Sequence, residues 1–306
     1  MGIQERLKKT AFNTVFSYLE RDPEKNLMKV MDWVDALAGD GENSFPVQRA
    51  AFRRVLEDPD NNMHRLIMDI LENVDRDVVK ATFQNFFLNA NIIGWPKQEE
   101  MRAQYGCNIP WAILLDPTSA CNLHCTGCWA AEYGNKLNLT FDEIDSIIRQ
   151  GKELGVYMYI YTGGEPLVRK KDLIALCEKH SDCQFLAFTN ATLIDEAFAD
   201  DMLRVKNFLP AISLEGFELA TDGRRGEGVY QKVVRAMDHG DSQGEEAPLR
   251  HLRLLHQSEP GLHQLPRVHR PADRLGRKVH LVLPLHARGQ QRRARAPAHP
   301  RPAGGD

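Results

Sequence analysis

The chain has 306 residues, 42% of them hydrophobic, and a formal net charge of −3. This length suits about two domains, and no window approaches the roughly 18 consecutive apolar residues of a membrane-spanning helix. The amino terminus leads into a polar, periodic segment and lacks the apolar core of a signal peptide. We therefore expect a cytoplasmic protein without a membrane span, and nothing in the sequence indicates nucleic-acid binding.

Residues 1–107 have the pattern of an all-α domain. Apolar residues recur at helical spacing between Leu7 and Leu19 and again between Leu27 and Leu37. Further helices are expected near residues 46–57, 61–73 and 76–92. Breaks are expected at Asp22-Pro23, at Gly39-Asp40-Gly41 and at Asp58-Pro59-Asp60. We interpret this part as a helical bundle packed against a catalytic domain or, alternatively, as a module that binds substrate or a partner.

From Trp111 onward, short apolar segments alternate with helical patterns. Strands are expected near residues 112–116, 156–161, 184–188 and 211–214. Helices are expected from the capping-box sequence Thr140-Phe-Asp-Glu143 to Gly155 and near residues 173–180, 196–205 and 229–237. This alternation predicts parallel βαβ units, in which ligands bind at the carboxyl ends of the strands.

Unusual residues follow each predicted strand. In chain order they are a loop with three cysteines, Gly163-Gly164-Glu165-Pro166, Thr189-Asn190 and Glu215-Gly216. Because the carboxyl ends of parallel strands meet at one edge of a sheet, we expect these four segments to lie together. Adjacent glycines permit close backbone approach, and Glu165 adds a carboxylate. Asn190, Ser213 and Glu215 are expected to bond ribose hydroxyls or a carboxylate or, alternatively, to cap the following helix.

The three cysteines of the loop are Cys121, Cys125 and Cys128, with C-x3-C-x2-C spacing. Three thiolates in one loop suit three irons of a 4Fe-4S cluster, and a missing fourth ligand leaves the open position that a catalytic metal site needs. A zinc site is the alternative, although structural zinc sites usually present paired C-x2-C units. A fourth zinc ligand would come from His124, His64 or Cys107. We expect His124 to face solvent instead, and Cys107, Cys177 and Cys183 to be small buried hydrophobic residues.

Together, the cysteine loop and the segments after the later strands resemble the radical S-adenosylmethionine (radical SAM) superfamily over about residues 108–238. The resemblance implies a 4Fe-4S cluster on the three cysteines that chelates S-adenosyl-L-methionine through its amino and carboxylate groups. It further implies that Gly163, Gly164 and Glu165 receive the amino group. Arg225 resembles an arginine found after the fourth strand in relatives and is a candidate partner for the cofactor carboxylate, or else a surface residue. One departure is Gly127, since relatives often have an aromatic residue before the last cysteine; here Trp129 follows it.

The predicted fold class is α/β: a partial (βα)6-type radical SAM barrel, residues 108–238, behind the all-α domain. The resemblance implies reductive cleavage of S-adenosyl-L-methionine and hydrogen abstraction from a peptide, a lipid precursor or a small metabolite. It also implies an electron donor such as flavodoxin or ferredoxin. The alternatives are an iron–sulfur electron carrier or sensor without turnover of the cofactor, a zinc-stabilised binding protein, and an inactive truncated product.

An inactive truncated product is an alternative because the family barrel has six strands and only four are recognisable in this sequence. Residues 239–306, where the others would lie, carry 12 Lys and Arg against 6 Asp and Glu, whereas residues 1–238 carry 27 against 36. The segment also holds eight of the 16 prolines and no Phe, Trp or Tyr, which argues against packed strands. We interpret it as an out-of-frame peptide that begins near Asp238 or, alternatively, as a genuine disordered basic tail.

Overall fold

The computed structural model describes residues 3–19, 21–38, 46–134 and 136–238. The helices before the sheet are α1 (Ile3–Leu19), α2 (Pro23–Ala38), α3 (Pro46–Glu57), α4 (Asn62–Asn73), α5 (Arg76–Thr82) and α6 (Gly94–Tyr105). The predicted helical character and the breaks at Asp22-Pro23 and Asp58-Pro59-Asp60 are confirmed. The predicted break at Gly39-Asp40-Gly41 and the segment 239–306 lie outside the described residues. No helix of the described ranges is long and apolar enough to cross a membrane.

The single helix predicted near residues 76–92 is wrong in detail. It is α5 followed by a π-helical segment, Phe83–Ile93, which continues into α6. The segment places Asn85 and Asn89 in buried positions against the loop before the third strand. Asn85 donates to the Cys183 carbonyl at 3.0 Å, and Asn89 donates to the Asp182 carbonyl at 2.9 Å. The π-helical segment therefore makes hydrogen bonds to the loop before the third strand. Hydrophobic periodicity in the sequence does not predict such long-range bonds.

Within the described ranges, four parallel strands form one sheet in the order β1-β2-β3-β4. They are β1 (Ala112–Thr118), β2 (Met158–Gly163), β3 (Gln184–Thr189) and β4 (Phe208–Ile212). The following helices are α7 (Phe141–Glu153), α8 (Lys170–Lys179), α9 (Glu196–Val205), α10 (Glu218–Arg225) and α11 (Val229–Asp238). The prediction of an α/β fold with four parallel strands is confirmed, and so is the capping box that begins α7.

The fourth strand is displaced from its predicted position at residues 211–214. It begins at Phe208, which pairs with Phe185, and ends at Ile212. Pro210 lies inside the strand opposite Ala187. Proline is tolerated at a sheet edge because no neighbour on that side needs its missing N–H, and β4 is the edge of the described sheet. Ser213 and Glu215 consequently lie beyond the strand, in the loop that leads to α10.

One face of the sheet packs against the helices. Tyr159, Phe185 and Phe208 lie side by side in register and are fully buried; burial of each side chain contributes about 1.5–3 kcal/mol. The Tyr159 hydroxyl donates to the Ile148 carbonyl of α7 at 3.0 Å. On the opposite face, Leu114 is 59% exposed. That face is only partly covered within the described part of the chain.

Close backbone contact joins the first six helices to the sheet domain. A Cβ built on Gly94 would lie 2.9 Å from the Asn89 carbonyl oxygen and closer still to that of Gly155. Gln98 donates to the same Gly155 carbonyl at 2.8 Å. Glycine at position 94 therefore permits a contact that any larger residue would prevent.

Asn207 connects the bottom of the sheet to α8. Its side-chain amide is buried and donates to the carbonyls of Cys177, His180 and Cys183 at 3.0–3.1 Å.

We expect Asn207→Ala to lower the free energy of unfolding by about 2–4 kcal/mol, because buried acceptors lose their donor. Chemical denaturation of the purified protein measures this change. Asn62→Ala, at an exposed position of α4, is the matched control and should change stability by less than about 0.5 kcal/mol; equal effects of the two substitutions would contradict the assignment.

Candidate active site

The carboxyl ends of the four strands bring the predicted site segments together. The Gly164 N–H donates to the Thr118 carbonyl at 3.0 Å, and the Glu165 N–H donates to the Ala120 carbonyl at 2.8 Å. The Ser213 N–H donates to the Thr189 carbonyl at 2.9 Å. These bonds link the ends of neighbouring strands. The predicted convergence of the segments is therefore observed.

The cysteine loop is ordered by its own backbone and by a contact with α10. The Cys128 N–H donates to the Cys125 carbonyl at 3.1 Å, and the intervening Gly127 has a φ of +71°. The Thr126 N–H donates to the Arg224 carbonyl at 2.8 Å. Glycine at 127 suits this left-handed turn, which accounts for a small residue at the position where relatives often have an aromatic one.

All three cysteines of the loop are partly exposed. Burial raises the pKa of the Cys121 and Cys125 thiols, and at Cys125 the charges of Arg225 and Arg224 act in the opposite direction. Metal binding to such thiols releases protons, because the thiolate is the ligand. In the described part of the chain, no group of three or more His, Cys, Asp and Glu side chains is arranged to hold a single metal ion. A 4Fe-4S cluster takes one thiolate per iron, so its ligands need not converge on one point.

The glycine pair lies directly under the cysteine loop. Gly163 has a φ of +101°, in the region that favours glycine. A Cβ built on Gly164 would lie 2.6 Å from the Ser119 carbonyl oxygen and closer still to that of Ala120. The backbone that precedes Cys121 thus rests on a position where no side chain fits. The cradle and the three sulfur donors fit a cluster held over the end of β2.

Glu165 is 1% exposed, and its carboxylate points into the protein. It accepts hydrogen bonds from Leu167 N at 3.0 Å, Thr189 Oγ1 at 2.7 Å and Asn190 N at 2.7 Å. Burial raises the pKa of the Glu165 carboxyl, while these three donors favour its charged form. The observed function of the side chain is to join the end of β2 to the end of β3. Its contact with a ligand amino group stays a prediction.

We expect Glu165→Gln to lower the free energy of unfolding by about 2–3 kcal/mol, because hydrogen bonds to a charged group are among the stronger ones and the new amide would place N–H groups against donors. The thermal unfolding temperature Tm and the denaturation midpoint measure the loss. Glu227→Gln, at an exposed position, provides the control for loss of one negative charge. A variant at 165 as stable as the one at 227 would show that the three bonds contribute little.

A second polar network joins the cysteine loop to the end of β3. Asn190 donates to Asn122 Oδ1 at 2.9 Å, and Asn122 donates to Thr192 Oγ1 at 2.8 Å. Thr192 in turn donates through its hydroxyl to Asn190 Oδ1 at 2.6 Å. Asn190 therefore lies at the predicted edge, with its side chain engaged by the loop. Asn122 was missed by the sequence analysis, although a polar residue directly after Cys121 was the available signal.

Glu215 and Arg225 form an ion pair beside the loop. Arg225 Nη2 lies 2.7 Å and Nε lies 3.1 Å from Glu215 Oε1, and Arg224 contacts the same oxygen. The pKa of the Glu215 carboxyl is lowered, since the two arginines outweigh the effect of its burial. In this structure the Arg225 guanidinium therefore contacts an internal carboxylate. Arg224, which also holds Thr126 through its carbonyl, was not singled out from the sequence.

A zinc site would need a fourth ligand such as His124 or Cys107, so the positions of the loop histidine and of the other cysteines matter. Cys177 and Cys183 are buried, as predicted. Cys107 is exposed, so the prediction of a buried position is wrong; the residue follows Gly106, which ends α6 with a φ of +64°, and lies in the connection to β1. His124 is exposed, as predicted.

Comparisons with known proteins identify the sheet domain. Residues 115–240 match the family model described as the radical SAM superfamily. An uncharacterized protein of Archaeoglobus fulgidus is 32% identical over 149 residues, which is 47% of this chain and 35% of that protein. A GTP 3′,8-cyclase of Peptoclostridium acidaminophilum is 30% identical over 152 residues, which is 46% of this chain and 45% of the relative.

Among solved structures, native anSMEcpe with bound AdoMet and Cp18Cys peptide is similar, with a TM-score of 0.36, 26% identity, and coverage of 41% of this chain and 38% of that one. The chain spans less than half the length of both curated relatives. The family match begins in β1 and includes the three cysteines, the glycine pair and the loop after β4. Residues 115–240 therefore belong to the radical SAM superfamily.

Proposed function

We propose that this protein is a radical SAM enzyme in which Cys121, Cys125 and Cys128 hold a 4Fe-4S cluster and leave one iron for S-adenosyl-L-methionine. The observation that carries the proposal is the close packing of the three-cysteine loop on the backbone of Gly163 and Gly164. Both lie at the carboxyl edge of a parallel sheet, where such folds bind ligands. The family match supports the same chemistry.

The chemistry that the cluster and S-adenosyl-L-methionine supply when bound is reductive cleavage of the sulfonium, which gives a radical able to abstract hydrogen. The protein binds, orients and excludes competing reactions. Gly164 permits the approach of the loop, and Asn122 with Asn190 holds it against the end of β3. Burial raises the pKa of the Cys125 thiol, and the positive charges of Arg224 and Arg225 partly offset this effect in favour of the thiolate that a cluster requires.

We assign the cofactor pocket to Gly163, Gly164, Glu165, Asn190, Ser213, Glu215 and Arg225. The backbone of the glycine segment would receive the amino group of the cofactor, and Glu165 would act mainly by fixing that backbone. Ser213 and Asn190 offer groups for hydroxyls or a carboxylate. For Arg225 to bind a ligand carboxylate, it would share or exchange its contact with Glu215.

The chain divides into three segments in this proposal. We propose an amino-terminal helical domain over residues 1–107, a radical SAM core over 108–238 and a terminal segment over 239–306 that left the ancestral reading frame. Comparison of the other two frames of the gene tests the last point: an apolar continuation that contains aromatic residues supports it, and absence of one in both frames contradicts it.

The relative named a GTP 3′,8-cyclase is similar over 152 residues, 45% of its own length, so the likeness does not extend to a substrate. The substrate is therefore a peptide, a lipid precursor or a small metabolite, in a cytoplasmic setting with a flavodoxin- or ferredoxin-like electron donor.

The experiment is anaerobic reconstitution with iron and sulfide, reduction, and measurement of 5′-deoxyadenosine released from S-adenosyl-L-methionine, beside a full-length in-frame control. Release by the in-frame protein supports the proposal. A cluster without release would favour an electron carrier or sensor, and a colourless protein that retains zinc would favour the zinc-stabilised binding protein. Release by the in-frame control alone would identify the present chain as an inactive product.

A further inference from the structure

A cavity of about 350 Å³ lies at the ends of β1 and β2, and Gly163 and Gly164 form part of its wall, so it adjoins the proposed cofactor pocket. We call it the β1 cavity; the side chains that matter here are Asp116, Trp129, Tyr133 and Leu139. None of the residues that line it within the described ranges is Lys, Arg or His. Among the described residues of the wall, Asp116 is therefore the one that carries a formal charge.

Asp116 lies in an otherwise apolar strand and shares the sheet face of Leu114, opposite the helices. Its carboxylate makes no hydrogen bond or ion pair with any residue that the structure describes. Gly163 leaves space beside it, since a Cβ at that position would lie 3.0 Å from the Asp116 Cβ. Asp116 is an exposed residue, and partial desolvation of its carboxyl raises the pKa. Because no described residue pairs with it, this carboxylate attracts a cation that enters the cavity.

Two aromatic rings form the adjacent wall. The ring centroids of Trp129 and Tyr133 lie 5.7 Å apart at an interplanar angle of 79°. Trp129 is 48% exposed and Tyr133 is 58% exposed, so a large part of each side chain is accessible. Aromatic faces attract ammonium and guanidinium groups, Trp most strongly. The β1 cavity thus combines a carboxylate that has no partner among the described residues with two aromatic rings, and both kinds of group attract a cation.

We propose that the β1 cavity binds an ammonium or guanidinium group of the substrate and that Asp116 is the residue that selects for it. A substrate that carries such a group on an apolar or aromatic body would place the charge against Asp116 and the body against Trp129 and Leu139. The identification of this ligand as the substrate rests on the proposed function; the preference of the cavity for a cation does not.

The test uses fluorine NMR with the reconstituted protein and two probes of one shape, 4-fluorobenzylammonium and neutral 4-fluorobenzyl alcohol. We expect the cation to bind at least about tenfold more tightly, as charge-assisted hydrogen bonds exceed neutral ones in strength. Asp116→Asn should abolish the preference without lowering Tm, because the carboxylate has no partner among the described residues. Trp129→Leu should reduce it, and Asp200→Asn, at an exposed position of α9, should leave it unchanged.

Equal binding of the two probes, or a preference that survives Asp116→Asn, would overturn the proposal. S-adenosyl-L-methionine also carries cationic groups, so the titrations are repeated with saturating cofactor. Binding of the ammonium probe beside the cofactor supports a substrate site, whereas its displacement, with weaker cofactor binding by Asp116→Asn, would assign Asp116 to the cofactor and refute the inference. Failure to release 5′-deoxyadenosine would count against the proposed function alone, because probe binding is measured without turnover.

Discussion

Replacement of any one of Cys121, Cys125 and Cys128 by alanine is expected to prevent stable assembly of the cluster. Release of 5′-deoxyadenosine should fall by more than about 100-fold, which exceeds the effect typical of removing an outer-shell partner of a metal ligand. The reason is that the proposed cluster has three thiolate ligands, and the loop contains no further cysteine to replace one that is lost. Iron and sulfide analysis after anaerobic reconstitution, combined with the visible absorption of the cluster, measures the loss.

Cys107→Ala is the matched control. Cys107 is exposed and lies outside the loop, so its loss should leave both iron content and turnover unchanged. Circular dichroism of each variant separates loss of the cluster from loss of the fold. Retention of a full cluster by any one of the three loop variants, or its loss on substitution of Cys107, would refute the assignment of ligands.

Gly164→Ala is expected to lower release of 5′-deoxyadenosine on the order of 10²-fold, the scale associated with displacement of a catalytic group by about 1 Å. A methyl group at this position would meet the carbonyl oxygens of Ser119 and Ala120, which belong to the backbone and cannot rotate away. Relief of the contact must shift the cysteine loop away from the end of β2. Steady-state turnover and the binding constant for S-adenosyl-L-methionine, measured on the same preparations, report the shift.

Gly223→Ala supplies the control for this substitution. Gly223 lies in α10, and a Cβ there meets no heavy atom within 4 Å. Alanine in a helix is more favourable than glycine by roughly 0.5–1 kcal/mol, so this variant should be as active as the parent and slightly more stable. Full activity of Gly164→Ala would mean that the loop is not fixed by the contact seen here.

Much of the fold follows from local sequence patterns. The capping box of Thr140 and Glu143 and the helix at residues 196–205 depend on interactions within a few residues, and both are observed as predicted. The approach of the four segments was also predictable, because parallel strands put their carboxyl ends at one edge. Composition and spacing alone therefore identify the edge of the sheet at which the chemistry is expected.

Long-range contacts decide what the sequence patterns do not. Nothing near Glu165 in the sequence indicates that its carboxylate turns inward to Thr189 and Asn190. Pro210 obscured the start of β4, since proline is tolerated there only at an edge of the sheet. Asp116 was counted as the end of an apolar strand, and its position on the wall of a cavity depends on a loop that returns from Trp129 to Leu139.

Electron paramagnetic resonance of the anaerobically reconstituted and reduced in-frame protein tests the central claim most directly. If three cysteines anchor the cluster and one iron is open, the spectrum should be that of a reduced 4Fe-4S cluster. Addition of S-adenosyl-L-methionine labelled with nitrogen-15 at its amino group should then shift that spectrum and introduce a hyperfine coupling. A spectrum that the labelled cofactor leaves unchanged, or a protein that takes up zinc in place of iron, would contradict the account.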